Sequence, residues 1–529
     1  MLTNSTLKLE ADKQTVNYTT PWSIGSSSKS SATVSALSYQ GELYLVTNAH
    51  AVVNSTYLKV KFNQGSTELP VKAVWVDPIM DLAIVKATSA EVEKLIKGKI
   101  TPIEIDPEFQ PKGTEVNAYG YPTGGSGLSF TKGHVSRIEI STVALSGLPG
   151  ITVQTSAPIN PGNSGGPITI KQADKEVCIG IVSQRATSLS NVGYFIPAVT
   201  VVKTIETYKK YGKVKAAGFI DHVTVPDISF DYQTLKNPSL RAELGLAETP
   251  LGEELKGIYV SKIAQKSCAS NILNEGDIIM EIDGHSILAN GNVEVSELEH
   301  PIHFRYLIQQ KQFFDDIKIK VLRKNLGGKL EEHTLTFRLT EQLGQSLLGY
   351  KDDKPLKYHV QPSGTNGGFV FSRCTKSLMD TFVTNYNASG RVLADTSNRP
   401  SIFNDFEKLS RSESLTEIVV LQNILASEET DGYENFALSR GALCVSHRVI
   451  EANGRPIRDL YDLVEILTAD PSKPSSILFE NGKRLVIAPE ADKETKKRLQ
   501  QRYQIAFFTS PSAAPIDHKP LFDQIQARY

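Results

Sequence analysis

The sequence predicts a multidomain protein in which an all-β barrel or sandwich pair is followed by two copies of a small α+β module. Three observations carry this. The 529 residues suffice for about three domains at roughly 100 to 200 residues each. From about residue 30 to residue 200, short β-rich runs alternate with Gly, Pro, Asn and Ser. Further on, Ile278–Ile287 (IIMEIDGHSI) and Arg448–Ile457 (RVIEANGRPI) match, with Asp283-Gly284 aligned to Asn453-Gly454.

In the β-rich part, strands are expected at Glu42–Val46, Leu58–Phe62, Leu82–Lys86, Glu115–Tyr119, Thr152–Thr155 and Val177–Val182. The period then becomes helical over Pro197–Lys210, with a proline suited to a first turn and Gly212 as a stop. That helix ends the first domain, at residues 1–212. Each module copy reads as a strand, a tight turn needing positive φ at glycine, and a return strand. A helix follows (Pro301–Gln310; Asp459–Leu467), then a closing strand (Ile317–Leu322; Leu485–Ala488). The modules span 213–340 and 341–490, and the second carries an insertion at Ser377–Glu417. Residues 491–529 form a C-terminal tail in which Lys493–Arg502 reads as a solvated helix face.

With 57 Lys+Arg against 58 Asp+Glu, the net charge is −1. That balance excludes a protein whose main partner is nucleic acid or an anionic membrane. The first residues carry no basic and apolar leader, and no apolar run approaches ~20 residues, so a soluble chain without a membrane anchor is expected. The four cysteines, Cys178, Cys268, Cys374 and Cys444, stand singly without CxxC, which suits reduced thiols in a cytosol-like compartment. The expected location is cytoplasmic, with a nuclear site or leaderless export as alternatives. Neither a metal nor a cofactor is expected.

Acyl transfer to water needs a nucleophile, a base, a group orienting the base, and donors for the oxyanion. His50 in LVTNAHAV, Asp81 in DLAIV and Ser164 in NPGNSGGP supply the first three, in the chain order of chymotrypsin-like double barrels. Glycines around Ser164 allow backbone amides to converge without side-chain obstruction. Gly162 and Ser164 are the expected donors, with Asn163 between them shaping the backbone.

These motifs resemble the Deg/HtrA family of serine proteases. YTTPW (Tyr18–Trp22), YGYPTGG (Tyr119–Gly125), GIVSQ (Gly180–Gln184), NVGYFIP (Asn191–Pro197), NPSLRAELGL (Asn237–Leu246), KGIYVSKI (Lys256–Ile263), RYLIQQK (Arg305–Lys311) and GYEN (Gly432–Asn435) are similar to plant members with two PDZ domains. The resemblance runs to about residue 490. It implies a chymotrypsin-like double β-barrel followed by two α+β PDZ domains. The implied activity is ATP-independent serine endopeptidase action on unfolded or peptide-tagged proteins, within a homo-oligomer of one or more trimers. Tyr18 and Trp22 are carried over as trimer-interface candidates. A holdase chaperone or PDZ scaffold, or a dedicated processing protease, is the alternative.

In such folds the specificity pocket is lined here by Pro158, Ile159, Ser183, Gln184, Arg185 and Gly193. No carboxylate lies among them, so cleavage after medium apolar residues is expected. Leu244-Gly245-Leu246 fits the Φ-Gly-Φ loop by which a PDZ domain holds a peptide carboxylate, with Arg241 adding charge. Asp353–Gly368 departs from that loop, which points the second module toward oligomer assembly instead. Gly124–Gly127 and Ala186–Asn191 are the expected mobile loops.

Overall fold

The computed structural model describes residues 2–62, 67–123, 125, 127–185, 192–216, 225–246, 255–264, 267–342, 348, 356–388, 405–406, 409, 412, 414–433, 446–490 and 494–510. Two compact units emerge: Met1–Lys13 with Ser28–Leu343, and Gln14–Ser27 with Gly344–Tyr529.

The first unit begins with seven strands: β1 (Thr6–Val16), β2 (Ile24–Tyr39), β3 (Glu42–Thr47), β4 (Ser55–Lys61), β5 (Glu68–Asp77), β6 (Leu82–Ala87) and β7 (Ile103–Glu104). Their order is β1-β4-β5-β6-β3-β2-β7, and a further β1–β2 pairing closes the sheet on itself. A second barrel comprises β8 (Glu115–Gly120), β9 (Ser129–Thr142), β10 (Pro149–Thr155), β11 (Pro167–Gln172), β12 (Lys175–Arg185) and β13 (Gly193–Pro197). It is closed, in the order β10-β13-β12-β11-β8-β9. The chymotrypsin-like fold class is therefore met.

Strand β2 joins the barrels through its period of two. Val34 and Ala36 enter the first barrel's core with Leu7, Leu9 and Val60. Leu37 instead packs with Ile181 and Ile196 of the second. Ala32–Ser38 are consequently all buried. This burial on both faces removes the alternation that marks a half-exposed strand.

The helix after β13 runs Ala198–Ala216 and does not stop at Gly212. A Cβ at Gly212 would lie 2.7 Å from the Tyr208 ring, so glycine gives that ring room within the helix.

The first α+β module is a sheet ordered Phe230–Thr234, Ile258–Ile263, Ile278–Ile282, Asp316–Lys324 and Leu330–Arg338. Ile258, Val260, Ile279, Ile282, Ile317 and Ile319 form its core with Phe304. The expected turn is present, with Asp283 at φ 48° and Gly284 at φ 85°. The helix is only Arg305–Gln309, because Ile302–His303 pairs with Asn292–Val293.

In the second module the matching turn has Asn453 at φ 49° and Gly454 at φ 78°. The helix Leu460–Thr468 is capped by Asp459, whose carboxylate accepts from Asp462 N. The strand beside Val449–Ala452 is Ser475–Phe479, and Arg484–Ile487 lies one further out. Leu485–Ala488 was expected as the closing partner, so a strand was missed. The missed strand corresponds to Asp316–Lys324 of the first module, and Arg484–Ile487 to Leu330–Arg338.

Residues 494–510 are built into this module, against the expectation of a tail. Thr495–Tyr503 is helical, and its Leu499 is fully buried with Ile505, Tyr358 and Val360. Beyond it, Val360 N donates to Phe508 O at 2.7 Å and Ser510 N to Tyr358 O at 3.0 Å. Trp22 and Tyr18 also lie in this unit. Trp22 Nε1 donates to Tyr503 O at 3.0 Å, and Tyr18 packs among Leu378, Met379, Phe382 and Ile418. Both rings are thus core groups of their own chain, because each finds an apolar pocket there. Among the described residues no helix is long and apolar enough to cross a membrane.

Candidate active site

Asp81 follows the turn that ends β5, where the Asp77 carboxylate accepts from Ile79 N (3.0 Å) and Met80 N (3.1 Å). The turn leaves Asp81 at φ 57°, a conformation Asp tolerates better than most residues. Its side chain thereby faces the short helix Ala49–Val52 that follows β3. Oδ1 accepts from His50 N at 2.9 Å, and the His50 Nδ1 atom lies 2.8 Å from Oδ2. Ser183 Oγ also donates to Oδ2 at 3.0 Å. Asp81 is only 3 % exposed. Three donors therefore satisfy a buried carboxylate that would otherwise be costly to hold. With Nδ1–H committed to Asp81, Nε2 keeps the lone pair a general base needs.

Ser164 sits in the turn between β10 and β11. A Cβ at Gly165, whose φ is 86°, would approach Thr33 O to 2.1 Å and Thr47 Oγ1 to 2.3 Å. No other residue fits there, so the glycine after the nucleophile is a packing requirement. Ser164 Oγ donates to Ser183 O at 3.1 Å. Ser183 thus touches the nucleophile with its carbonyl and Asp81 with its hydroxyl. Attack requires Oγ to exchange Ser183 O for His50 Nε2.

Asn163 N donates to Asn160 O at 3.0 Å, whereas the amides of Gly162 and Ser164 have no partner among the described residues. Two free donors therefore flank one used in a turn. In the pocket region, Ile159 lies against Gly193: a Cβ on Gly193 would meet Ile159 Cγ1 at 2.4 Å. Thr131 Oγ1 ties down Pro158 O at 2.9 Å. Gln184 and Arg185 pair in β12 with Tyr194 and Gly193. Of the expected mobile loops, Gly124, Ser126 and Ala186–Asn191 lie outside the described residues.

Leu244-Gly245-Leu246 is a helix end and not a carboxylate loop. Gly245 (φ 80°) caps the helix Pro238–Leu244, its N–H donating to Ala242 O and Leu246 N to Arg241 O. Both amides a carboxylate would need are already used. Arg241 Nη1 is likewise held by Lys256 O at 3.0 Å.

Sequence reasoning missed Ile228-Ser229-Phe230. Ser229 has φ 56°, the conformation that glycine provides in a Φ-Gly-Φ loop. Ile228 and Ser229 N–H have no partner among the described residues. Ala264 N donates to Ser229 O, which makes Phe230 and Ile263 a non-hydrogen-bonded pair. Phe230 N–H accordingly points to the strand's outer edge. An apolar-polar-apolar triplet just ahead of a strand was the available signal, hidden because serine stands where glycine is sought.

A trypsin-like peptidase domain family model matches residues 34–181, and a PDZ domain model matches residues 352–512. The chain is 29 % identical to "Protease Do-like 2, chloroplastic" of Arabidopsis thaliana, over 98 % of this chain and 78 % of that protein. It is 32 % identical to "Putative protease Do-like 13" of the same plant, over 70 % of this chain and 68 % of that one. The chain belongs to the Do-like, or Deg/HtrA, family of serine proteases. It is a serine endopeptidase carrying PDZ domains. A further relative, at 26 % identity over 90 % of this chain and 78 % of its own length, is "Protease Do-like 4, mitochondrial" of Arabidopsis thaliana. These names overturn the expected cytoplasmic location, since they point to organelles. Unpaired cysteines and the character of the first residues were the basis of that expectation, and neither distinguishes cytosol from an organelle interior.

Proposed function

We propose that this Deg/HtrA endopeptidase degrades or processes unfolded or carboxylate-ended polypeptides without ATP, inside an organelle. In this reading Ser164 Oγ attacks the scissile carbonyl while His50 Nε2 takes its proton, and Asp81 holds the resulting imidazolium. His50 then protonates the leaving amine, and water repeats the cycle on the acyl-enzyme. Gly162 and Ser164 N–H receive the oxyanion. Ile159 against Gly193 makes the pocket short and apolar, which suits Val, Ile, Leu or Ala before the cut. The first PDZ module, about 225–342, takes a substrate C-terminus at Ile228–Phe230. The second, about 356–510 with Gln14–Ser27, is structural. Assembly into trimers or their multiples completes the proposal.

The observation that carries the reading is the continuous hydrogen-bonded chain from His50 through Asp81 and Ser183 to Ser164. Purified protein is expected to degrade casein without ATP, and Ser164→Ala to reduce the rate at least about 10³-fold. The oligomer measured by light scattering should be unchanged. Equal proteolysis by the variant contradicts the assignment.

A further inference from the structure

Thr33, on β2, is fully buried, and no part of the mechanism above uses it. The period of two that sends Val34 and Ala36 into the first barrel aims Thr33 and Ser35 at the loop bearing the nucleophile. Thr33 Oγ1 donates to Gly162 O at 2.7 Å and accepts from Tyr121 N at 3.1 Å. Thr33 N donates to Ser164 O at 2.8 Å.

Every carbonyl from Pro161 to Gly165 is held. Thr123 N and Oγ1 both donate to Pro161 O, at 2.8 and 3.0 Å. Gly166 N donates to Asn163 O at 2.9 Å, and Ser35 Oγ to Gly165 O at 2.8 Å. Thr33 supplies the two in between. A trans peptide places its N–H opposite its C=O. Holding Pro161 O therefore turns Gly162 N–H to the other side, and holding Asn163 O does the same for Ser164 N–H. Those two amides are the ones left free. Gly162, at φ 99°, has the backbone freedom to leave this arrangement, so something outside the loop must fix it.

We propose that Thr33, seconded by Thr123, is a positioning residue for the oxyanion hole, its one buried hydroxyl locking the Gly162 carbonyl to the Tyr121–Thr123 segment that holds Pro161 O. The proposal rests on reading Gly162 and Ser164 as the oxyanion donors. Thr33 touches no substrate and acts through Gly162. Because its hydroxyl bridges two segments, displacement of Tyr121–Thr123 loosens Gly162 as well.

Thr33→Val removes the hydroxyl and keeps the shape, while Thr33→Ser keeps the hydroxyl. In the full-length enzyme, kcat and KM for a chromogenic peptide are measured together with inhibition by the matching peptide aldehyde, whose hemiacetal oxygen occupies the oxyanion position. Thr33→Val is expected to lower kcat by about 10- to 100-fold with KM within about twofold. Aldehyde affinity should fall in parallel, and Thr33→Ser should restore both. Wild-type kcat and aldehyde affinity in Thr33→Val overturn the proposal, as does a loss confined to KM. If Thr33→Val does not fold, Thr123→Val, which removes one of two donors to Pro161 O, should lower kcat several-fold, and an unchanged kcat overturns it. A wild-type enzyme that binds the aldehyde no better than the matching peptide alcohol overturns the oxyanion reading itself, whatever Thr33 does.

Discussion

The two α+β modules share a turn, a helix and the pairing that runs from the turn-bearing strand through the two strands after the helix, yet they differ at their first strand. In the first module, Phe230–Thr234 lies at the end of the sheet order, with no strand on its outer side among the described residues. In the second, Tyr358–Ser363 is buried throughout, and the chain's own residues 508–510 hydrogen-bond along it. His359 Nδ1 adds a 2.8 Å contact to Thr509 Oγ1. An open strand edge is where an extended peptide can add to a sheet, and a covered edge cannot accept one. One duplicated scaffold therefore leaves a strand edge open in one copy and covered in the other. The segment that covers the second copy's edge comes from far along the chain.

The largest expected effect tests the covered copy. Leu499→Ala should destabilise the second unit by about 2–5 kcal/mol, because the side chain is fully buried against Trp22, Tyr358 and Val360. Thermal unfolding followed by tryptophan fluorescence checks this. A loss within about 0.5 kcal/mol, as for a solvated helix face, would return residues 494–510 to the status of a tail.

A second test breaks the open copy. Ser229→Pro removes one of the free amides and cannot adopt φ 56°. In full-length Ser164→Ala protein, affinity for a fluorescent peptide with a free C-terminus should fall at least about tenfold by polarisation, whereas Ser229→Gly should keep it. Equal affinity for the C-terminally amidated peptide would remove the carboxylate from the account.

The smallest effect concerns how the first module is tied to the barrels. Lys203, on the helix Ala198–Ala216, is half-buried with its amine turned inward, and its Nζ donates to Gln309 O, while Gln309 Nε2 donates to Pro149 O at 2.9 Å. Burial pushes the amine down to about 7, with Asp77 and Asp315 pulling the other way. The unfolded chain keeps its proton up to about 10.5, so between these values it binds more protons than the folded one and stability rises with pH. Below pH 7 the wild type carries the full burial penalty. Any gain in Tm from Lys203→Met over wild type should therefore be larger at pH 6.5 than at pH 9.5. A pH-independent difference would show that the amine is not desolvated.

Much of this was legible. The strands around His50, Asp81 and Ser164 could be read because turn residues and β-branched runs alternate there, and the duplicated turn because Asp-Gly and Asn-Gly demand positive φ. Thr33 could not be read, since β2 is buried on both faces and its period of two is invisible. Leu244-Gly245-Leu246 misled because a helix-ending glycine and a carboxylate-loop glycine use the same left-handed conformation. Ser475–Phe479 was passed over in favour of the strand beside it, and the covering of Tyr358 by Ser510 spans a sequence distance that no local pattern encodes.

The central claim is that His50 activates Ser164 for acyl transfer, and a fluorophosphonate probe tests it most directly. Ser164 Oγ should displace fluoride and form one phosphonate ester per chain, located by mass spectrometry on the peptide containing Ser164. His50→Ala should slow this labelling by at least about 10³-fold. Label on another residue, or labelling of His50→Ala at the wild-type rate, would contradict the account.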